Sequence, residues 1–105
     1  MYLVRDIMYC KPGKVRPLVE KFKAMSKLNE RVGWPKMRIL TDFCADQYWT
    51  LVSEMEVSDL GQFEKMMAGP PAGASAEDMK EFEKVMGGYH ELVDRGRREI
   101  YKIEG

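Results

Sequence analysis

The chain has 105 residues, of which 45% are hydrophobic and 32% charged, a balance typical of one folded domain spanning residues 1–105. Seventeen basic and seventeen acidic residues give a formal net charge of zero, which argues against electrostatic binding to nucleic acid or to an anionic membrane. The sequence has no apolar run of about 20 residues and no signal-peptide pattern, so we expect no membrane partner and a cytoplasmic location.

The first half of the chain predicts a strand, a long helix and a hairpin. Residues 2–9 are rich in strand-forming types and end at the turn residues Pro12 and Gly13. From residue 15 to residue 32 the apolar positions recur every three or four residues, as in an amphipathic helix. Residues 36–44 and 47–57 then predict two strands, and only two residues separate them, a spacing that favours an antiparallel hairpin.

The second half predicts two helices and a closing strand. Asp59 is a helix N-cap residue and begins a short helix that ends near Ala68. The weakly polar segment 68–74 follows, and we interpret it as the lid of a pocket. Ser75 lies three residues before Asp78, a spacing close to a capping box, and begins a longer helix with an apolar stripe to residue 93. Gly87-Gly88 indicates a kink or break within this helix, and Arg95-Gly96 is predicted to end it. The alternating residues 98–103 form the last predicted strand.

The resulting order, β-α-β-β-α-α-β, predicts an α+β ferredoxin-like sandwich: a four-stranded antiparallel sheet with helices on one face. The third strand carries Leu51 and Met55 on one side and Tyr48 and Val52 on the other, so neither side is plainly polar. A four-stranded face covers about 500 Å², more apolar area than monomers usually leave exposed. The pattern therefore predicts a homodimer in which a second copy covers the sheet face that the helices leave bare.

The strand that runs into Lys11-Pro12-Gly13-Lys14, the long helix, the hairpin, the split helical segment and the closing strand resemble the dimeric α+β barrel superfamily. Its members include NIPSNAP-like proteins, antibiotic-biosynthesis monooxygenases and haem-degrading monooxygenases. The resemblance covers essentially the whole chain as topology plus one short turn motif. It implies a dimer whose sheets face each other, and a pocket between sheet and helices in each protomer.

The haem-degrading branch carries an Asn on the first strand, a Trp late in the third strand and a His before the last strand. In this chain Asp6 replaces the Asn, and residues 55–57 contain no Trp. His90 alone matches the branch. The resemblance therefore gives little support to haem degradation, and we expect no cofactor and no metal. The spacing of Cys10 and Cys44 likewise argues against a zinc site or a disulfide framework.

Two side chains are candidates for proton transfer. His90 is the only histidine, and its ordinary pKa near 6.5 lets it exchange protons near neutral pH. Its alternative role is a border histidine hydrogen-bonded to backbone or water. Asp6 lies among apolar residues on a short strand, where burying a carboxylate is unfavourable unless it is paired with a cation or serves in proton transfer. The alternative for Asp6 is an ion pair with Arg38 or Arg98 on a neighbouring strand.

Two hypotheses about function follow. In the first, the protein is a cofactor-independent monooxygenase or an isomerase that acts on a small aromatic or apolar substrate, with His90 and Asp6 exchanging protons. In the second, it is a non-catalytic ligand-binding or assembly module, with haem binding as a further option. The same amphipathic side chains line the pocket in the first hypothesis and only pack in the second. The candidate substrate-binding residues are Tyr2, Tyr48, Trp49, Met67 and Tyr89.

Overall fold

The computed structural model describes residues 1–69 and 74–105, and it contains the predicted elements in the predicted order. Residues 70–73, the centre of the predicted lid, lie outside the described part of the chain. Within that part the strands are β1 (Tyr2–Cys10), β2 (Arg38–Thr41), β3 (Thr50–Val57) and β4 (Val93–Lys102). The helices are α1 (Val15–Arg31), α2 (Leu60–Ala68) and α3 (Ala76–Met86), and a 3₁₀ turn, Tyr89–Glu91, precedes β4.

The four described strands form one antiparallel sheet in the order β2-β3-β1-β4, which confirms the predicted ferredoxin-like arrangement. In this order β1 lies inside the sheet, between β3 and β4. The register places Asp6 opposite Ser53 of β3 and opposite Arg98 of β4. Because side chains alternate between the two faces of a strand, Asp6 and Arg98 lie on the same face.

The core lies between the helices and one face of the sheet, which we call the helix face. Leu18 and Phe22 of α1 pack with Leu51 of β3, and Met66 of α2 packs with Val4 of β1 in a second cluster. Helix α3 packs mainly against α1. The helix-face residues of β4 are consequently exposed; they are Gly96, Arg98, Ile100 and Lys102.

Two predicted boundaries are wrong, and the predicted break at Gly87-Gly88 is confirmed. The β2–β3 connection is a loop of residues 42–49 and not a two-residue turn, because the Asp42 carboxylate accepts the Thr50 N–H (2.8 Å) and closes the loop there. The residues predicted to end the last helix belong instead to β4, where Gly96 pairs with Met8 across the sheet. Helix α3 ends at Met86, and the positive φ of Gly88 turns the chain out of the helix, as the glycine pair indicated.

Helix α3 is attached to α1 at both ends. At its start the Arg31 guanidinium contacts the Asp78 carboxylate (2.7 Å), and Asp78 and Ser75 form the predicted capping box. Near its end the Lys21 ammonium donates to the carbonyl oxygens of Val85 (3.2 Å) and Gly87 (2.6 Å). A cation at this position also interacts favourably with the negative end of the helix dipole. These contacts fix the position of α3 above α1.

The capping box makes part of the stability pH-dependent. A hydrogen bond from the Ser75 backbone N–H is the main reason that the pKa of Asp78 is lowered, and Arg31 lowers it further. A depressed folded-state pKa contributes stability above the unfolded value of about 3.9, and that stability is lost as pH falls through the folded value. We expect Asp78→Asn to lower the melting temperature at neutral pH, with the difference from wild type shrinking below about pH 4. Thermal unfolding at several pH values, with Glu77→Asn as control, checks this; a difference independent of pH would contradict it.

Within residues 1–69 and 74–105, no helix has both the length and the apolar composition that crossing a membrane requires.

Candidate functional site

The exposed helix face of β1 and β4 forms a cleft built around an ion pair. Arg98 Nε lies 2.5 Å from Asp6 Oδ1, and Arg98 Nη2 lies 3.5 Å from Asp6 Oδ2. Of the two arginines predicted as partners of Asp6, Arg98 is the one that forms the ion pair. The Asp6 side chain is 21% exposed and that of Arg98 is 43% exposed. Asp6 therefore holds the guanidinium in place at the bottom of the cleft while part of it remains open to solvent.

Helix α2 supplies one wall of the cleft. The Arg98 guanidinium lies over the Phe63 ring, 5.1 Å from its centroid, and Arg98 Nη1 lies 3.5 Å from the Met67 sulfur. The start of α2 is fixed because the Asp59 carboxylate accepts the Gln62 N–H (2.8 Å). Arg98 is therefore held between a carboxylate on its own sheet and an aromatic ring on the helix, a cation–π arrangement.

The floor of the cleft is open because of a glycine. A hollow of about 210 Å³ is lined by Asp6, Ile7, Met8, Gly96, Arg97 and Arg98. A Cβ atom at Gly96 would lie 3.0 Å from the carbonyl oxygen of Ile7 and would also approach the Met8 side chain. Glycine thus permits close strand pairing at this point and leaves room above it.

The 3₁₀ turn positions Tyr89 and His90. Their rings stack with centroids 4.0 Å apart. Tyr89 is half-buried and packs against the same core cluster as Met8, whereas the His90 side chain is exposed. Among the described residues the His90 ring makes no hydrogen bond, and Asp6 pairs with Arg98. The exchange of protons between Asp6 and His90 stays a prediction.

The other aromatic candidates lie in two different places. Tyr2 packs against the cluster formed by Val4 and Met66. Tyr48 and Trp49 lie in the 42–49 loop, where the Trp49 carbonyl accepts the N–H of Cys10 at the end of β1 (2.8 Å). Of the five predicted substrate-binding residues, Met67 is the one that contacts the Asp6–Arg98 pair in the described part of the chain. The binding roles of the other four stay predictions.

Several residues of the cleft were not predicted as site residues, among them Phe63, Gly96 and Arg98. Arg98 was predicted only as an ion-pair partner of Asp6. Phe63 belongs to the apolar stripe of the short helix, where a core role was the simpler interpretation. Gly96 was interpreted as a helix end. The available signal was the register: once Asp6 is paired with Arg98, the residue two positions earlier on β4 must lie on the same face of the sheet.

The other face of the sheet, which we call the open face, is more charged than predicted. The buried Glu54 carboxylate contacts Arg5 Nε (2.8 Å) and Arg38 Nη2 (2.5 Å), and its hydrogen bond raises the pKa of Arg38. Arg97 Nη1 lies 2.6 Å from the Tyr9 hydroxyl, and Arg95 lies over the Tyr9 ring. The same face carries the apolar side chains of Ile7, Val52 and Leu40, so it combines ion pairs with apolar surface. Arginine side chains cover part of its apolar surface within one chain.

The cysteines and acidic residues offer little for metal or thiol chemistry in the described ranges. Burial raises the pKa of the Cys10 thiol, and nearby Asp42 raises it further, so the reactive thiolate is disfavoured. Cys44 is exposed in the 42–49 loop. No group of three or more His, Cys, Asp or Glu side chains in residues 1–69 and 74–105 is arranged to hold a metal ion.

The fold defined by this sheet and its helices is shared with several small α+β proteins of known structure. An uncharacterised NIPSNAP-like domain protein of Burkholderia xenovorans superimposes with a TM-score of 0.74 at 12% identity, over 98% of this chain and 84% of that one. A proposed antibiotic biosynthesis monooxygenase of Deinococcus radiodurans gives 0.70 at 10% identity, over 100% and 94%. Another, of Nitrosomonas europaea, gives 0.66 at 13% identity, over 97% of each chain.

These similarities confirm the ferredoxin-like fold that the sequence resemblance implied. At 10–13% identity they concern the fold alone. No protein-family model and no curated protein matches the sequence. Because one fold can host many functions, the residues of the cleft are the basis for proposing this protein's function.

Proposed function

We propose that the cleft over β1 and β4 binds a small molecule that has an aromatic or apolar body and an oxygen atom able to accept hydrogen bonds. The observation that carries this proposal is the half-exposed Arg98, which Asp6 holds and which Phe63 and Met67 flank. A guanidinium has five N–H donors, so the contacts with Asp6 leave donors for a ligand. The apolar side chains beside it provide contact area for the ligand body.

The first candidate activity is that of a cofactor-independent monooxygenase or an isomerase. In this proposal Asp6 accepts a proton from the substrate, Arg98 stabilises the oxyanion that forms, and His90 returns or removes a proton at the edge of the cleft. For a phenol such as 1-naphthol, oxidation by O₂ gives a quinone and one water, so atoms and electrons balance without a further reductant. Two structural neighbours that are named as proposed antibiotic biosynthesis monooxygenases support this candidate.

The alternative is a non-catalytic ligand-binding module, in which the same residues bind a molecule and do no chemistry. The exposed position of His90 favours this alternative, because a catalytic histidine usually has a partner that orients its ring. Both candidates require ligand binding at Arg98, and they differ in turnover.

Binding is tested with 1-naphthol and NMR of the arginine Nε–H groups. We expect a saturable shift of the Arg98 resonance, and Arg98→Ala should weaken binding at least about tenfold, since it removes a charged hydrogen-bond donor. Arg95→Ala is the matched control, because Arg95 lies on β4 over the Tyr9 ring on the open face and does not line the hollow. A shift at Arg95 in place of Arg98, or equal weakening by both variants, would contradict the proposed location.

Turnover is tested by oxygen uptake and quinone absorbance with 1-naphthol. We expect Asp6→Asn and His90→Ala each to lower the rate by about 10² to 10⁴, since each removes a proton-transfer group. His90→Ala should leave the melting temperature nearly unchanged, because the side chain is exposed. Binding without oxygen uptake in the wild-type protein would reject the monooxygenase and support the ligand-binding module.

We further propose that a second copy of the chain covers the open face. Four observations support this. Leu40 and Tyr101 are exposed on this face, and Glu54 is already paired with two arginines, which reduces the cost of burying its charge. A hollow of about 710 Å³, lined partly by Leu3, Arg38, Glu54 and Glu56, leaves room for a partner. In the adjoining 42–49 loop, Phe43 and Tyr48 are almost fully exposed.

A further inference from the structure

A further hollow lies between α2 and α3. It has a volume of about 270 Å³ and is lined by Trp34, Met66, Gly69, Met79, Phe82 and Glu83. None of these residues lines the hollow beside Asp6 and Arg98, and the α2 residue that contacts Arg98 is Met67, whereas Met66 lines this hollow. The two sites are therefore structurally separate.

The walls of this hollow are held in place by contacts elsewhere. The Trp34 backbone N–H donates to the Asn29 carbonyl at the end of α1 (2.7 Å), and the Trp34 ring lies 5.8 Å from that of Phe82 at an interplanar angle of 45°. Met66 is buried in the second core cluster. Helix α3 is tied to α1 by Arg31 at its start and by Lys21 at its end. The hollow between α2 and α3 is therefore bounded by elements whose positions these contacts fix.

The residues that line this hollow favour a particular class of ligand. Two aromatic rings and two methionines offer polarisable surface that suits a flat or apolar body, and aromatic faces attract cations. The Glu83 side chain makes no ion pair with any residue in the described ranges. A volume of 270 Å³ is slightly below that of usual drug-sized pockets, so the ligand is small.

We propose that this hollow binds a small aromatic ammonium ion, whose ring packs against the Trp34 and Phe82 rings and whose charge faces Glu83. The proposal does not depend on the function proposed for the Arg98 cleft. It assigns two sites with opposite ligand preferences to one domain, because Arg98 donates hydrogen bonds to an oxygen atom and Glu83 accepts hydrogen bonds from a cation.

The test uses 2-phenylethylammonium as the probe and Trp34 as the reporter. Trp49→Phe leaves Trp34 as the single tryptophan, and all measurements are made in that background. We expect a saturable change in its fluorescence with a dissociation constant in the millimolar range, as for a ligand of about nine non-hydrogen atoms. Glu83→Gln should weaken binding of the probe about fivefold, the effect of a partly exposed charge pair, and should leave binding of neutral 2-phenylethanol unchanged.

Two control variants locate the effect. Glu81→Gln makes the same charge change on α3 at an exposed position outside the hollow, and we expect it to have no effect. Arg98→Ala should also have none, whereas it should weaken 1-naphthol binding in the other cleft. The proposal is overturned if the probe gives no saturable change, if Glu81→Gln and Glu83→Gln weaken it equally, or if Arg98→Ala abolishes its binding.

Discussion

Replacing Leu51 with Ala is expected to lower the free energy of unfolding by about 3 kcal/mol, the typical cost of removing a fully buried leucine side chain. Leu51 has no exposed surface and packs against Leu18 and Phe22 of α1. Because these neighbours belong to a separate helix held by several other contacts, they cannot fully collapse into the space, and a cavity remains. Chemical denaturation of the purified variant measures the loss.

Leu60→Ala is the control for that experiment. Leu60 is 48% exposed at the start of α2, and we expect its truncation to cost well under 1 kcal/mol. A loss for Leu51→Ala no larger than that for Leu60→Ala would contradict the placement of the core between α1 and the helix face.

Replacing Val52 with Glu is expected to separate the proposed dimer. Val52 lies on the open face between Ile7 of β1 and Leu40 of β2, near the middle of the surface that a second copy would cover. A two-fold interface would bury the new carboxylate twice, once from each copy, in surroundings built for an apolar side chain. We expect the dissociation constant of the dimer to rise at least about 100-fold. Sedimentation at micromolar concentration distinguishes the 12.2 kDa chain from its dimer.

The matched control is Ala76→Glu, which adds the same charge at the exposed start of α3. This variant should leave the dimer intact, because α3 packs on α1 and not on the open face. If the wild-type protein sediments as a single chain, or if both variants dissociate equally, the dimer proposal fails. Binding at Arg98 would be unaffected by that failure, since the cleft lies on the opposite face of the sheet.

Local signals predicted the elements that depend on neighbouring residues. The apolar spacing of α1 and the capping box formed by Ser75 and Asp78 act over a few positions, and both are present in the structure. The predictions failed where distant segments compete with local preference. Pairing with β1 draws Gly96 into a strand, although the sequence Arg95-Gly96 favours a helix end locally. The Asp42–Thr50 hydrogen bonds likewise shorten the predicted hairpin strands.

In the candidate site, too, local features were predicted and contacts between distant residues were not. The sequence identified Asp6 as a carboxylate that needs a partner and named Arg98 as one of two candidates, because charge in an apolar strand is costly. It left that choice open, since the register between β1 and β4 depends on the whole sheet. The number of charged side chains on the open face was also not predicted. The arginine side chains that cover Tyr9 come from β4, more than 80 positions away in the chain.

The order of elements, the ferredoxin-like fold and the charged residues within the strands could be predicted from the sequence, because they follow from periodicity and from local turn and cap chemistry. The contacts between distant residues required the folded structure: Arg98 with Asp6 and Phe63, Glu54 with two arginines, and Trp34 with Phe82 beside Glu83. Strand register and helix placement are set by the packing of the entire domain, and each of these contacts joins residues at least 16 positions apart in the chain.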